Sequence, residues 1–495
     1  GTLWPLDLIR EIDLDTIAKH SKYDGLNDEE LMISESQERM SIVIAPEHRE
    51  KVLQMLNDEN IVWFVAWKIT DDKEQPENDR LRVLYQGKKV VDLSRDFLDT
   101  NGADREHDAV VKLEKVDFFD TLDENVSWLV DKWDLMWAFK AQLGLLVNAS
   151  QRWLQWWFDS SVWASTVLAP YGWKYQTSPQ VAMASKIPTF DWKDSKTSAI
   201  TSHWFNPYLL SQNTYIWWMY SILETISKVV ATGWNHKKTW ISLQEYFGKL
   251  TTDEKYWEVY AWLLGTLKVL VALKIAAIWW KDSMSWTHRI QLDKVTDKLK
   301  DLLTKEWFDE DSGWMNQKIE SLLGELDSIM DVPPTIVWVA NAPIDSNYVV
   351  SSEFKKPWSK VLCFPIKRLY GLPDLYYYEQ KINEIEELTN RKKVLSSSVV
   401  WQGWIVHAIT NLTLWNKIWF KFDSVSKEMF TPGLWDIIIE VDEETAMVFQ
   451  EFVIWKTIKE QSIKLWTEVI SIDEAQAIMD NTLEWVWQTE KGKWT

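Results

Sequence analysis

The sequence predicts a mixed α/β protein, α+β in its local order, built from tandem units. Three observations predict it. Short apolar runs bounded by turn residues alternate with longer stretches of helical periodicity. The order strand, helix, strands near the start returns in the last third. The length of 495 residues, 46% of them hydrophobic, allows about three cores.

Residues 1–100 read as one compact unit. Ser41–Ala45 is an apolar run, and Pro46 suits the first turn of a helix to about Asn57. Ile61–Thr70 and Leu81–Gln86 follow as strands, and Gln86-Gly87 turns into Lys89–Leu93. Residues 101–150 are charged, with periodic apolar positions, and read as a linker of one or two helices. The next unit, 151–345, holds polar loops around a Val-rich strand, then an amphipathic helix over Thr214–Thr232. On it Glu224 and Lys228 are i,i+4 neighbours, read here as a surface ion pair. Leu243–Leu250 and Tyr256–Lys274 read as further helix, 290–330 as a charged helical insertion, and Thr335–Ala340 as strand. In 346–475 the pattern is strand Lys360–Ile366, helices to Val394, loop Ser396–Trp404, helix to Leu412, strand Lys417–Phe422, hairpin-like Leu434–Val441 and a helix near Glu444–Phe452. Residues 476–495 form a tail.

The bulk composition excludes several function classes. A net charge of −20 argues against a general binder of nucleic acid or anionic membranes. A single cysteine rules out an internal disulfide framework and fits the cytoplasm. Cys363 lies in an apolar strand and reads as core. The apolar run Leu263–Trp280 is interrupted by Lys268 and Lys274 and makes a poor membrane span. The start lacks Met and a signal peptide, so the chain is expected to begin inside a larger protein. His203, His236, His288 and His407 show no metal-ligand spacing.

The most informative stretch is 275–288. An apolar segment there delivers Lys281, Asp282, Ser283 and Ser285 in quick succession. Lys offers a point charge, hydroxyls offer donors and Asp can hold a metal, a mix suited to a phosphate-bearing ligand. A phosphate loop also needs glycine, so that backbone N–H groups can approach the anion. Here Trp279, Trp280 and Trp286 flank it. The conflict is general. An average chain of this length would hold about 35 glycines; this one has 15, beside 36 Trp. Pro357-Trp358-Ser359 puts Trp where a type II turn wants positive φ. One reading is that most of these positions are glycine in the living protein, with UGA codons rendered as Trp. The other is a Trp-rich carbohydrate binder with aromatic platforms.

With Trp read as Gly, the central stretch becomes Gly-Gly-Lys-Asp-Ser-Met-Ser-Gly. It then closely resembles the signature of phosphoribosylformylglycinamidine synthase in its large single-chain form. Other segments resemble the family in order: Ile33 to Met40, Val91 to Leu98, Phe158 to Val162, Tyr171 to Pro179, Phe205 to Leu209, Gln244 to Phe247, Val400 to Ile405 and Trp415 to Phe420. Nearly the whole chain is covered, and the Trp residues fall on family glycines.

The resemblance implies tandem PurM-like (aminoimidazole-ribonucleotide-synthetase-like) repeats, one partial and one complete. Residues 1–100 would be the covering half of the first repeat, 151–345 the nucleotide-type half of the second and 346–475 its covering half. The first nucleotide-type half would precede Gly1 and a glutaminase would follow Thr495, so catalytic residues are expected outside this stretch. The implied reaction belongs to purine biosynthesis. ATP phosphorylates the formamide oxygen of formylglycinamide ribonucleotide, and glutamine-derived ammonia displaces phosphate to give the amidine. On that pattern Glu35, Ser36, Gln37 and Ser283 would contact substrate, and Lys281, Asp282, Ser285 and Gln402 would lie at nucleotide. Read alone, Glu35-Ser36-Gln37 is a helix cap or solvated loop. ATP and Mg²⁺ are the implied cofactors, with Glu224 the retained metal position. Met183, Lys228 and Gln402 stand where Asp, Asn and Asp would be expected. The second site is therefore expected to be metal-poor, with Lys228 able to replace the ion's charge. The alternative is a catalytically silent ligand-binding or scaffold protein of the same fold.

Overall fold

A computed structural model describes residues 11–21, 23–33, 41–68, 80–94, 97–98, 106–111, 123–152, 165–171, 176–189, 194–204, 213–283, 287–288, 330–331, 335–400, 404–422, 427–430, 433, 436–459, 462–465 and 468–483. The chain divides into two compact units, Gly1–His107 and Asp108–Thr495.

In the first unit β1 (Glu11–Asp13) runs into α1 (Leu14–Lys19), capped by the Asp13 carboxylate, which accepts from Asp15 N–H. Then come α2 (Asp28–Ile33), α3 (Arg49–Asp58), β2 (Trp67–Lys68), β3 (Arg80–Tyr85) and β4 (Lys88–Ser94). The sheet order is β2-β1-β3-β4. The β3–β4 hairpin turns on Gln86 and Gly87, with φ of 50° and 72°. Two positive φ values match the right-handed twist of the flanking strands. Ile12, Leu14, Leu31, Leu81 and Val83 form the core. Two expectations are corrected. Ser41–Ala45 is not a strand, and among the described residues 61–68 only Trp67–Lys68 pairs. Ile42, Val43, Ile61 and Val62 are exposed, so a locally apolar run has no strand partner and no core face among the described residues.

The second unit opens with α4 (Glu124–Asp131) and α5 (Leu135–Leu143). A six-stranded sheet follows, ordered β5-β6-β7-β12-β8-β9. Its strands are β5 (Thr166–Leu168), β6 (Met183–Lys186), β7 (Thr197–Trp204), β8 (Trp240–Tyr246), β9 (Ala276–Ser283) and β12 (Thr335–Asp345); β10 (Thr287–His288) pairs separately with β11 (Met330–Asp331). Helix α6 (Thr214–Ala231) packs on β7 and β12, and α7 (Asp253–Leu273) packs on α6. The Gly265 position on α7 sets their approach: a Cβ there would lie 2.6 Å from the Tyr215 carbonyl oxygen. By length and composition α7 could cross a bilayer, yet Ala261, Trp262, Gly265, Thr266 and Val269 on one face are buried.

A seven-stranded sheet completes the unit, ordered β16-β18-β13-β19-β17-β20-β21. Its strands are β13 (Lys360–Phe364), β16 (Val394–Val399), β17 (Trp419–Phe422), β18 (Ile437–Val441), β19 (Val453–Ile458), β20 (Ser462–Leu465) and β21 (Glu468–Ser471). A small hairpin, β14 (Arg368–Leu369) with β15 (Leu372–Pro373), leads to α8 (Leu375–Asn390); α9 (Trp404–Asn416), α10 (Glu443–Val448) and α11 (Ile472–Asn481) finish the set. One apolar core joins α6 and α7 to α8, β16 and β18. Buried polar bonds lock the same seam: Tyr378 Oη donates to Leu223 O (3.1 Å), and His236 N–H donates to Glu386 Oε1 (2.7 Å).

Three readings of this unit are corrected. Leu243–Leu250, expected as helix, contains the end of β8, whose residues alternate between buried and less buried faces. Ser396–Trp404, expected as loop, begins inside β16; its serines are tolerated because Ser396 Oγ donates to Glu440 Oε2 (2.9 Å) and Ser397 Oγ to Ile438 O (3.1 Å). The described part of Leu434–Val441 supplies one internal strand, β18, and no hairpin of its own. The 290–330 insertion lies outside the described residues.

The indoles occupy two kinds of place. Trp217 and Trp218 on α6 are fully buried, and Trp218, Trp262 and Trp280 form an edge-to-face chain with centroid spacings of 5.5 and 4.8 Å. The Nε1 atoms of Trp218, Trp262, Trp404, Trp415 and Trp419 are buried without a hydrogen-bond partner. Each such N–H costs about 1–3 kcal/mol of desolvation. Elsewhere Trp133, Trp358 and Trp404 adopt φ of 59°, 71° and 63°. Trp358 is the position that the Pro-Trp-Ser turn predicted.

Candidate functional site

The expected ligand residues of the central stretch fall at the edge of the six-stranded sheet. β9 runs parallel to β8, placing Lys281 opposite Gln244, Asp282 opposite Glu245 and Ser283 opposite Tyr246. Phe247 N–H donates to Ser283 O at 2.8 Å, continuing the ladder to the end of the strand. Lys281–Ser283 therefore lie on an extended strand and not in a curled loop. A backbone laddered to a neighbouring strand does not curl its N–H groups round an anion. Bulky Trp279 and Trp280 have high strand propensity, and their side chains keep this segment extended. Lys281 is exposed and Ser283 half-buried. Ser285 lies outside the described residues, as do Glu35, Ser36, Gln37 and Gln402.

Beside this edge lies an acid the sequence reading passed over as a family landmark only. Glu245 on β8 is fully buried, and neither carboxylate oxygen has a hydrogen-bond partner. It shares a sheet face with Ile241 and Leu243. A charged group inside an apolar strand pattern is the signal that could have found it, since carboxylates are rarely buried unpaired.

The expected metal position is on α6, and its surface reading is wrong. Glu224 and Lys228 are 2% and 6% exposed, and their Oε1 and Nζ atoms are 2.5 Å apart. Lys228 Nζ also donates to His203 O at 2.9 Å. Sixteen of the eighteen residues of α6 are buried, so the i,i+4 pair had no solvent-facing side to occupy. Met183 lies on β6 opposite Thr201. These residues do not fit Mg²⁺, which takes hard oxygen ligands in octahedral geometry. The carboxylate is already neutralised, a thioether is a soft ligand, and an ammonium would repel the ion. Among the described residues no group of three His, Cys, Asp or Glu side chains could hold a metal.

Two further buried groups have shifted protonation. Burial pushes the Asp436 carboxyl up to about 7, against the opposing pull of the Arg368 guanidinium and the Ile366 N–H. Burial, reinforced by the Asp436 charge, raises the Cys363 thiol well above its usual value. Cys363 is thus an inert core residue, as its strand context indicates.

Residues 8–76 match the family described as AIR synthase related protein, C-terminal domain. The chain is 26% identical over 226 residues to the phosphoribosylformylglycinamidine synthase subunit PurL of Thermoplasma acidophilum, covering 45% of this chain and 27% of that protein. It is 32% identical over 142 residues to the PurL subunit of Ignicoccus hospitalis, covering 28% of this chain and 18% of that protein. In fold it matches Thermotoga maritima PurL complexed with ATP, with a TM-score of 0.54 at 13% identity over 91% of this chain and 59% of that one. The chain thus spans about a quarter of the length of the curated relatives it matches, or less. The architecture is mixed α/β of the PurM-like kind. In sequence over part of its length and in fold over most of it, the chain is similar to the synthetase region of PurL-type phosphoribosylformylglycinamidine synthases.

Proposed function

We propose that this chain is a stretch of the synthetase region of a phosphoribosylformylglycinamidine synthase. In that role it takes part in the ATP- and glutamine-dependent conversion of formylglycinamide ribonucleotide to the amidine, completed by a preceding nucleotide-type half and a glutaminase. The observation that carries the reading is the joint likeness: the family match at residues 8–76, partial sequence similarity to PurL subunits, and a PurL-like fold over 91% of the chain. Solved relatives include T. maritima PurL complexed with ATP and with FGAR, and the ligand classes proposed here follow them. Phosphoryl transfer of this kind rests on positioning and electrostatic stabilisation more than on side-chain nucleophiles. Glu35, Ser36, Gln37 and Ser283 are proposed at the substrate, with Lys281, Asp282, Ser285 and Gln402 at nucleotide.

The reading includes glycine at most Trp positions. Trp133, Trp358 and Trp404 in left-handed backbone, and indole N–H groups buried without partners, support it. The test has two arms. Peptide masses across Trp279-Trp280 and Trp358 in protein from its native host distinguish Gly from Trp. The reassembled synthase, with glycine at those positions, should form amidine product from ammonia and ATP; absence of product from a folded assembly sinks the proposal. A silent scaffold role is favoured by one observation, the Lys228–Glu224 pair at the metal position. A folded assembly that binds ATP without turnover would establish it.

A further inference from the structure

The buried ion pair on α6 has a consequence for the whole second half. A carboxylate taken out of water needs a compensating cation, and breaking a buried pair is strongly destabilising because the remaining charge is stranded. For Glu224 that cation is Lys228, on the next turn of the same helix at 2.5 Å. The ammonium is fixed from a second side by the His203 carbonyl on β7, at 2.9 Å. Lys228 also lies in the last turn of α6, where the negative end of the helix dipole favours a cation. Strand β7 and helix α6 are joined nearby by Ser202 Oγ, which donates to Thr225 O at 2.9 Å. The pair is therefore held between helix and sheet, and its charge is balanced without any added ion.

We propose that the Lys228 ammonium stands in for a divalent cation at Glu224, so that the 151–345 half folds and holds its shape independently of metal. It rests on the proposed function only in taking α6 as the helix facing the second nucleotide-type site; its test uses no turnover, so the two can fail separately.

The experiment is a melting-temperature series on the full chain in EDTA and in rising Mg²⁺ or Mn²⁺, for the unsubstituted protein, Glu224→Gln and Lys228→Asn. A ligand that binds only the folded state raises the melting temperature with its concentration. The unsubstituted protein is expected to melt at the same temperature in EDTA as in metal, apart from any shift that Glu224→Gln shows equally. Lys228→Asn exposes the carboxylate and supplies an oxygen ligand; it is expected to melt lower in EDTA and to recover by several degrees with saturating metal. A saturable metal shift in the unsubstituted protein that Glu224→Gln abolishes overturns the proposal. So does a Lys228→Asn protein that folds but melts equally low in EDTA and in metal. If Lys228→Asn does not fold, the comparison of the unsubstituted protein with Glu224→Gln decides alone.

Discussion

Two helix ends in the second unit face the same backbone requirement with different residues. Helix α6 ends at Gly233, with φ of 108°, and Trp234 N–H reaches back to Val229 O. Helix α4 ends at Trp133, with φ of 59°, and Asp134 N–H reaches back to Leu129 O. Both use the six-to-one closure of a left-handed helix stop, which favours glycine because other L-residues strain there. At α6 the requirement is also steric, since a Cβ on residue 233 would lie 2.2 Å from the Tyr348 carbonyl oxygen. At α4 the side chain points out and is 69% exposed. The backbone asks for glycine in both places; only where a second element closes over the turn is the demand absolute.

Gly233→Ala is the strongest way to break the comparison. Left-handed strain and a clash with fixed backbone together predict a loss of about 4 kcal/mol. Urea denaturation of the full chain measures it, and a loss no larger than that of an exposed Gly→Ala change elsewhere would mean that Tyr348 moves aside at little cost.

Gly433 offers a third case, where the obstacle is a carboxyl: a Cβ there would lie 2.8 Å from Asp436 Oδ2. Folded Asp436 keeps its proton to about pH 7, whereas the unfolded group loses it near 3.8. The folded state thus binds the extra proton between those values, so the stability that Asp436 contributes is fullest below about pH 4 and falls as pH rises towards 7. The slope is up to about 1.4 kcal/mol per pH unit. Asp436→Asn keeps an oxygen for the Ile366 N–H and should flatten the profile in that window. An unchanged slope would assign the titration to another group.

Gly265 sharpens the comparison inside a helix, where φ is ordinary and only space matters. Gly265→Ala should cost about 2 kcal/mol as α7 backs away from the Tyr215 carbonyl. Its readout is the denaturation midpoint, and a gain in stability, which helix propensity alone would give, would show that the α6–α7 contact is soft.

Much of this was legible in the sequence, and the limits are physical. The Thr214–Thr232 helix, the Gln86-Gly87 turn and the Trp358 turn were readable because periodicity and turn chemistry are local. Ser41–Ala45 and Leu243–Leu250 misled because a short apolar run does not say which partner will bury it. The Glu224–Lys228 spacing suits an exposed helix face, and only the sheet closing over α6 turns it into a buried pair. Lys281 to Ser283 carry a loop's chemistry, yet the adjacent indoles favour a strand. Glu245 was visible as a letter, but not its complete burial on β8.

The smallest effect is also the most diagnostic. Trp133→Gly relieves left-handed strain of about 1–2 kcal/mol, part of which is returned because glycine loses more backbone freedom on folding. A net gain of about 1 kcal/mol is expected in the urea midpoint. Trp133→Ala removes the same indole while leaving a Cβ at a φ of 59°, so it should gain little or nothing. If both substitutions stabilised equally, the benefit would come from removing an exposed indole, and position 133 would not be a glycine site. A gain confined to glycine would identify the backbone as the cause, and would make the contrast between Trp133 and Gly233 one of residue identity imposed on a shared geometry.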